Sequence, residues 1–322
     1  MRYIALLCGA LTMLSGVVLA QTGTSFPSKS IRVIVPYPPG GGSDTIVRPL
    51  AQYLTENLKQ QIIVDNRGGA SGNIGMELGT KSPPDGYTIV FALTAQLAVN
   101  PALYSKLPYD PVRDFEPITL LATGPYILVV HPSLPVKSVN DLIALARARP
   151  GQLTYASSGN GSGGHLAAEL FDSMAHIRML HIPYKGGGPA LVDLIAGNVQ
   201  VLFSTWASGR PHIESGRIRA LAVSTSKRLT GVNLPTIAEA ALPGYDAGVW
   251  YAFVAPAGTP KQIVSKLNAD ILRAAANPEF KALLQRSAIE LVGSTPDELA
   301  KFMKSEIVKW ARVVKEANVH VD

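Results

Sequence analysis

Arg32 to Asp44 reads RVIVPYPPGGGSD, and the order of its parts decides the fold. A β-branched apolar run (Val33, Ile34, Val35) leads into a stiff Pro36-Tyr37-Pro38-Pro39 bend and then Gly40-Gly41-Gly42. Ser43 and Asp44 open an amphipathic helix whose apolar stripe is Ile46, Val47, Leu50, Ala51, Leu54 and Leu58. A strand, a glycine loop and a helix start, in that order, leave unpaired backbone N–H groups at the positive end of a helix dipole. Such a place holds an anion.

The arrangement recurs twice. Leu153 to Ala156 is followed by Ser157-Ser158-Gly159-Asn160-Gly161-Ser162-Gly163-Gly164 and a helix from about His165, with Leu166, Leu170, Phe171 and Met174 inward. Leu180 to Tyr184 is followed by Lys185-Gly186-Gly187-Gly188. Pro189 then takes the first helical position, where a missing N–H costs nothing, and Leu191, Val192, Leu194 and Ile195 face the core. Between and beyond these units the chain keeps alternating. Strands are expected at Gln61–Val64, Tyr87–Leu93, Tyr126–Val130, Val199–Phe203, Ile218–Val223 and Trp250–Val254. Helices are expected from Asn73, behind Ser138, after Thr259-Pro260, and behind the capping box Thr295-Pro296-Asp297-Glu298. Strands alternating with helices predict an α/β fold with mostly parallel sheets.

The bulk numbers narrow the function. With 322 residues, 47% hydrophobic and 16% charged, the chain is globular rather than disordered. Arg2 followed by the apolar stretch Ile4 to Leu19 and the small-residue site Val18-Leu19-Ala20 is a secretory signal peptide, residues 1–20, cut near Ala20. Cys8, the single cysteine, lies inside it, so the mature chain has no disulfide, thiolate metal site or cysteine nucleophile. Those features point to a bacterial periplasm. Without Arg2 there are 28 basic against 23 acidic side chains, a formal +5. The basic residues are scattered and lack interleaved aromatics, which argues against a nucleic-acid partner.

Catalytic signatures are thin. Gly159 to Gly164 matches G-x-G-x-x-G, but the following strand ends in Tyr184-Lys185 where a ribose-binding carboxylate is needed, so a nucleotide-binding enzyme is disfavoured. There is no G-x-S-x-G or H-E-x-x-H. Ser157, Ser158 and Ser162 have no acidic partner in an orienting position, which weighs against an exported hydrolase. His165 and Glu169 are one helical turn apart, and two ligands do not make a metal site. No catalytic residue, metal or cofactor is assigned.

The motifs VPYPPGGGSD, NRGGASGNIG, NPALY (Asn100 to Tyr104), YASSGNGSGGHLAAELF (Tyr155 to Phe171), PYKGGGPALVDLIAGNVQ (Pro183 to Gln200) and WYAFVAPAGTP (Trp250 to Pro260) together resemble the Bug-type periplasmic solute receptors. These are the extracytoplasmic subunits of tripartite tricarboxylate transporters. The resemblance spans the mature chain; Gly68 departs from it, since relatives tend to carry proline there. It implies a two-lobed, type II-like periplasmic-binding-protein fold with two crossover segments, Ala122-Thr123-Gly124 and Gly248-Val249-Trp250. Residues 25–124 plus 248–322 would form lobe one, and 125–247 lobe two. It also implies a monomer that binds a small organic acid or amino acid and delivers it to membrane permease subunits. The alternative is a solute sensor that presents its closed form to a sensor kinase.

On that reading a carboxylate sits where Gly41, Gly42, Ser43 and Asp44 face Ser157, Ser158, Gly164, His165, Tyr184, Gly186 and Gly187. Thr94, Gln96, Thr205 and Tyr37 read the ligand's other end. Asp44 is expected as a cap on the helix N–H groups, with an ammonium or water contact as the alternative, and His165 as a hydrogen-bonding wall of the pocket.

Overall fold

A computed structural model describes residues 26–229 and 232–316; the expected signal peptide lies outside them. The decisive stretch folds as β1 (Ile31–Val35), a loop, and α1 (Asp44–Leu58). There follow β2 (Ile62–Asn66), α2 (Asn73–Thr80), β3 (Thr88–Leu93) and a short α3 (Asn100–Leu103). The sixteen-residue β4 (Phe115–Val130) then leads to α4 (Val139–Ala148), β5 (Thr154–Ser157), α5 (Gly163–Ala175), β6 (Leu180–Pro183) and α6 (Gly187–Ala196). Next come β7 (Val201–Thr205), α7 (Trp206–Glu214), β8 (Arg219–Val223) and α8 (Ile237–Ala240). The chain returns through β9 (Gly248–Pro256), α9 (Lys261–Ala275), α10 (Pro278–Arg286), β10 (Glu290–Leu291) and α11 (Pro296–Glu316).

The strands lie in the order β2-β1-β3-β9-β4-β7-β5-β6, with β8 and β10 also paired to β4. The outer ladders are parallel, as expected: β1 with β2 and β3, and β5 with β6 and β7. The centre is antiparallel, because β4 and β9 carry the chain between the two lobes. The first half of β4 pairs with β9 and β10, and its second half with β7 and β8. The two expected crossing segments are therefore not loops. They lie side by side in one ladder, with Thr123 opposite Trp250, Gly124 opposite Val249 and Pro125 opposite Gly248. Only the Tyr126–Val130 end of β4 is expected from the sequence; its first part carries Pro117 and Pro125, which cannot donate to a ladder. The register instead shifts between Pro117 and Thr119 and again between Leu120 and Ala122, which absorbs the irregularity.

Helices pack by the stripes that the sequence marks. Ile46, Val47, Leu50, Ala51 and Leu54 of α1 are buried, as are Leu299, Met303, Trp310 and Val314 of α11. The α11 capping box forms, with Glu298 N–H donating to Thr295 Oγ1 and Thr295 N–H to Glu298 Oε2. Two details of α6 differ from expectation. The helix begins at Gly187, placing Pro189 third, where its N–H would still be an orphan. Val192 is 63% exposed while Leu191 and Leu194 are buried. At about 100° per residue, Val192 turns away from the stripe that Leu191, Leu194 and Ile195 share.

Candidate functional site

The three glycine-flanked helix starts meet at one narrow interlobe cavity of about 70 Å³, partly open to solvent. Lobe one supplies Tyr37, Gly41, Gly42 and Ser43; lobe two supplies Ser158, Gly164, Gly186, Gly187 and Thr205. Gly163, Gly188, Ser204 and Ser208 join them, so the start of α7 is a fourth helix terminus on the wall. Among the described residues, the N–H groups of Gly41, Gly42, Ser43, Gly163, Gly164, Gly187 and Gly188 find no acceptor within the protein. No charged side chain lines the cavity. The result is a positive site built from backbone dipoles, with no side-chain charge.

The lobes also touch outside this cavity, at two neighbouring pockets. Ser71 Oγ donates to the Asn160 carbonyl, Tyr104 Oη donates to the same oxygen at 3.4 Å, and Trp206 Nε1 donates to the Arg286 carbonyl at 3.1 Å. Gly163 must be small here: a Cβ on it would stand 2.0 Å from Tyr126 Oη.

Six expected residues do not line the cavity. Asp44 is the first residue of α1 but does not cap the helix's own N–H groups. Its carboxylate accepts from the Gly40 N–H at 3.3 Å, Arg48 Nε at 2.7 Å and Asn66 Nδ2 at 3.2 Å, bracing the glycine loop from behind. These partners outweigh its burial and hold its pKa below the ordinary value. Thr94 is buried, its hydroxyl accepting from Trp250 N–H at 2.9 Å. Gln96, also buried, accepts from Leu93 N–H and donates to Ser71 O at 2.6 Å and Tyr37 Oη at 3.0 Å. It thus orients Tyr37, which does reach the cavity. Tyr184 donates to Asp193 Oδ2 at 2.6 Å and faces a neighbouring interlobe pocket.

Ser157 and His165 belong to a buried stack inside lobe two. Ser157 Oγ lies 2.6 Å from His181 Nε2, and the His165 and His181 rings stack at 4.0 Å beside Tyr155. His165 Nδ1 accepts from Gly161 N–H at 3.0 Å, which puts its proton on Nε2, 3.7 Å from Glu169 Oε1. Burial pushes the His165 imidazole down to about 3 and that of His181 down to about 4, so both stay neutral near pH 7. His165 therefore shapes the loop ahead of α5 instead of forming a pocket wall. A residue at a helix start can turn inward or outward, and sequence does not say which.

Residues 46–319 match the family TctC, tripartite tricarboxylate transporter family receptor. The chain belongs to that family. It is 38% identical to Protein BugT of Bordetella pertussis over 304 residues, 94% of this chain and 93% of that one. A solved structure described as R. palustris Rpa4515 with adipate superposes with a TM-score of 0.89 at 38% identity, covering 92% of this chain and 99% of that one. MatC (Rpa3494) from Rhodopseudomonas palustris with bound malate gives a TM-score of 0.86 at 30% identity, covering 90% and 100%. TctC proteins are periplasmic solute receptors, and this one shares their two-lobed α/β fold.

In this TctC receptor, sequence reasoning passed over Tyr126 on β4 and Tyr251 on β9, which line the cavity with Leu93, Leu202 and Phe203. Nothing local marks them. Each is one aromatic in a buried strand, and only the pairing of β9 with β3 and β4 brings it to the cleft. Ser204 and Ser208 flank the Thr205 position, and the Thr205 hydroxyl lies 3.0 Å from that of Ser208.

Proposed function

We infer that this TctC receptor binds a small carboxylate in the cleft between its lobes, closes on it, and hands it to a membrane permease of the tripartite type. One observation carries the reading: seven unpaired N–H groups from three helix starts, contributed by both lobes, border one cavity with no charged lining. The acids in the related structures, adipate and malate, are of the class such a site suits. Charge-assisted hydrogen bonds are worth about 1.5–3 kcal/mol each, and each helix end adds about 0.3–1 kcal/mol. Several of these, less the ordering costs, reach the roughly −8 kcal/mol of a micromolar receptor. Because one ligand bridges both lobes, it favours the closed form over the open one.

On this reading the lobes are residues 25–124 with 248–322, and 125–247, hinged where β4 and β9 run together. The ligand contacts are Gly41, Gly42, Ser43, Ser158, Gly164, Gly186, Gly187 and Thr205, with Tyr37 held in place by Gln96. The protein is a receptor, not an enzyme, and works in the periplasm after cleavage near Ala20. A thermal-shift screen of mono-, di- and tricarboxylates, amino acids and aromatic acids, followed by calorimetry and a ligand-bound crystal, tests it. At least one acid is expected to bind at micromolar affinity, its carboxylate against the glycine-flanked helix starts. An acid bound elsewhere overturns the reading.

A further inference from the structure

Helix α7 has two working sides. Thr205 and Ser208, at its start, border the cavity. Trp206, Arg210, Ile213 and Glu214 recur at i, i+4, i+7 and i+8 and so share another side of the helix. There they line a groove of about 850 Å³ that is open to solvent. Arg219 of β8 adds to the lobe-two wall, and Arg286, at the end of α10, brings lobe one to it.

Two bonds hold the halves of this groove together. Trp206 Nε1 and Arg210 Nη1 both donate to the Arg286 carbonyl, at 3.1 and 2.9 Å. That oxygen lies in the last turn of α10, where carbonyls lack helical partners and the dipole is negative, so an indole N–H and a guanidinium suit it. Both bonds run from lobe two to lobe one. The groove is therefore complete only while the lobes are together.

Its charge is unlike that of the cavity. No charged side chain lines the cavity, whereas the groove has three arginines against one glutamate. Arg210 pairs with Glu214 at 2.6 Å, and Arg219 donates to the Val136 carbonyl at 2.8 Å. The Arg286 guanidinium is exposed and bonds no group among the described residues. A planar cation of this kind takes a carboxylate in a bidentate pair. Trp and Arg are also enriched among the side chains that dominate binding at protein interfaces. The surface that a periplasmic receptor meets at the inner membrane complements this groove. Membrane proteins concentrate Lys and Arg in their cytoplasmic loops, which leaves the loops on the other side short of positive charge.

We propose that this groove is the docking surface for an acidic extracytoplasmic loop of the permease, and that lobe closure completes it by bringing Arg286 of lobe one against Trp206 and Arg210 of lobe two. This rests on the receptor reading and deepens it. Because α7 meets the cavity on one side and the partner on the other, a filled cavity and a finished groove go together.

Proteoliposomes holding the permease subunits, sedimented with the full mature chain, test it, with protein-free vesicles of the same lipid beside them. With the acid found in the screen, about tenfold more wild-type receptor is expected to sediment than without it, and added salt is expected to reduce that retention. Arg286→Glu should lower retention about tenfold. Its acid affinity and Tm should stay at wild-type values, because the interlobe bonds use the backbone carbonyl and the guanidinium bonds nothing. Lys261→Glu makes the same charge change at an exposed site of lobe one outside the groove and should alter nothing. Trp206→Phe, which deletes the N–H, should weaken acid binding and retention together. Retention that survives Arg286→Glu, ignores the acid or Trp206→Phe, falls equally with Lys261→Glu, or is matched by protein-free vesicles overturns the docking surface and leaves the carboxylate receptor standing. If the acid-loaded wild type is not retained at all, handover to the permease falls and this inference with it.

Discussion

Gly42→Ala tests lobe closure directly. A Cβ on Gly42 would lie 2.8 Å from Thr205 Oγ1 and 3.2 Å from its Cγ2, across the cleft from one lobe to the other. Ordinary contacts are several tenths of an ångström longer, so Thr205 must move. Its hydroxyl is tied to that of Ser208 at 3.0 Å, and breaking that bond costs about 1 kcal/mol. The residual overpacking adds at least about 1 kcal/mol more. The closed form is thus penalised by about 2 kcal/mol, which lowers ligand affinity roughly thirtyfold. With the lobes apart the new methyl has no such neighbour, and alanine for glycine restricts the unfolded chain. The ligand-free Tm should therefore stay level or rise slightly. Calorimetry with the acid found in the screen measures the affinity, and solution X-ray scattering with and without that acid measures closure. Thr205→Ala is expected to relieve the clash, so the Gly42→Ala penalty should largely vanish in that background. Unchanged affinity in the single variant, or a penalty that persists undiminished beside Thr205→Ala, would refute the argument.

Three further outcomes follow from the geometry. Ser158→Ala should weaken binding about tenfold with little change in Tm, because this cavity-lining hydroxyl bonds no other protein group among the described residues; unchanged calorimetric affinity removes Ser158 from the site. Gln96→Leu should cost roughly 1–3 kcal/mol of stability in chemical denaturation, since Leu93 N–H is left unpaired in the core and Ser71 O keeps only the 3.4 Å bond from Asn100 Nδ2. It should also weaken ligand binding by freeing Tyr37, so a stability loss with intact affinity would show that Tyr37 needs no such anchor. Asp172 has one unpaired oxygen, and burial pushes its carboxyl up to about 7. A folded pKa above the unfolded value means stability present at low pH and lost as pH rises toward 7. Asp172→Asn should therefore gain about 2–3 kcal/mol on the wild type between pH 5 and pH 8, read as a Tm difference that widens with pH. A difference that stays flat refutes the assignment.

Much of the local structure is legible in the residues. The α1 stripe, the Thr295 capping box and the glycine loops ahead of α1, α5 and α6 obey short-range rules of period, capping and turn chemistry. So does the convergence of Gly42, Ser158, Gly164 and Gly187 on one cavity, once three like units are assumed to face each other. The direction of single side chains was not legible. Asp44, Ser157 and His165 sit beside those glycines in sequence, yet their polar groups bond inward to Arg48, His181 and Gly161. Val192 misled in the same way, being apolar but turned to solvent.

By itself, then, the sequence determined an α/β chain with three anion-ready helix starts, because strands, caps and loops depend on neighbours within a few residues. Only the tertiary structure decided that β4 and β9 run antiparallel through the centre and place Tyr126 and Tyr251 on the cavity wall. Which hydroxyls remain unpaired was likewise settled by packing between segments more than a hundred residues apart. The physical reason is that a hydrogen bond or a buried wall belongs to whatever the fold brings within a few ångströms, and chain order carries no record of that distance.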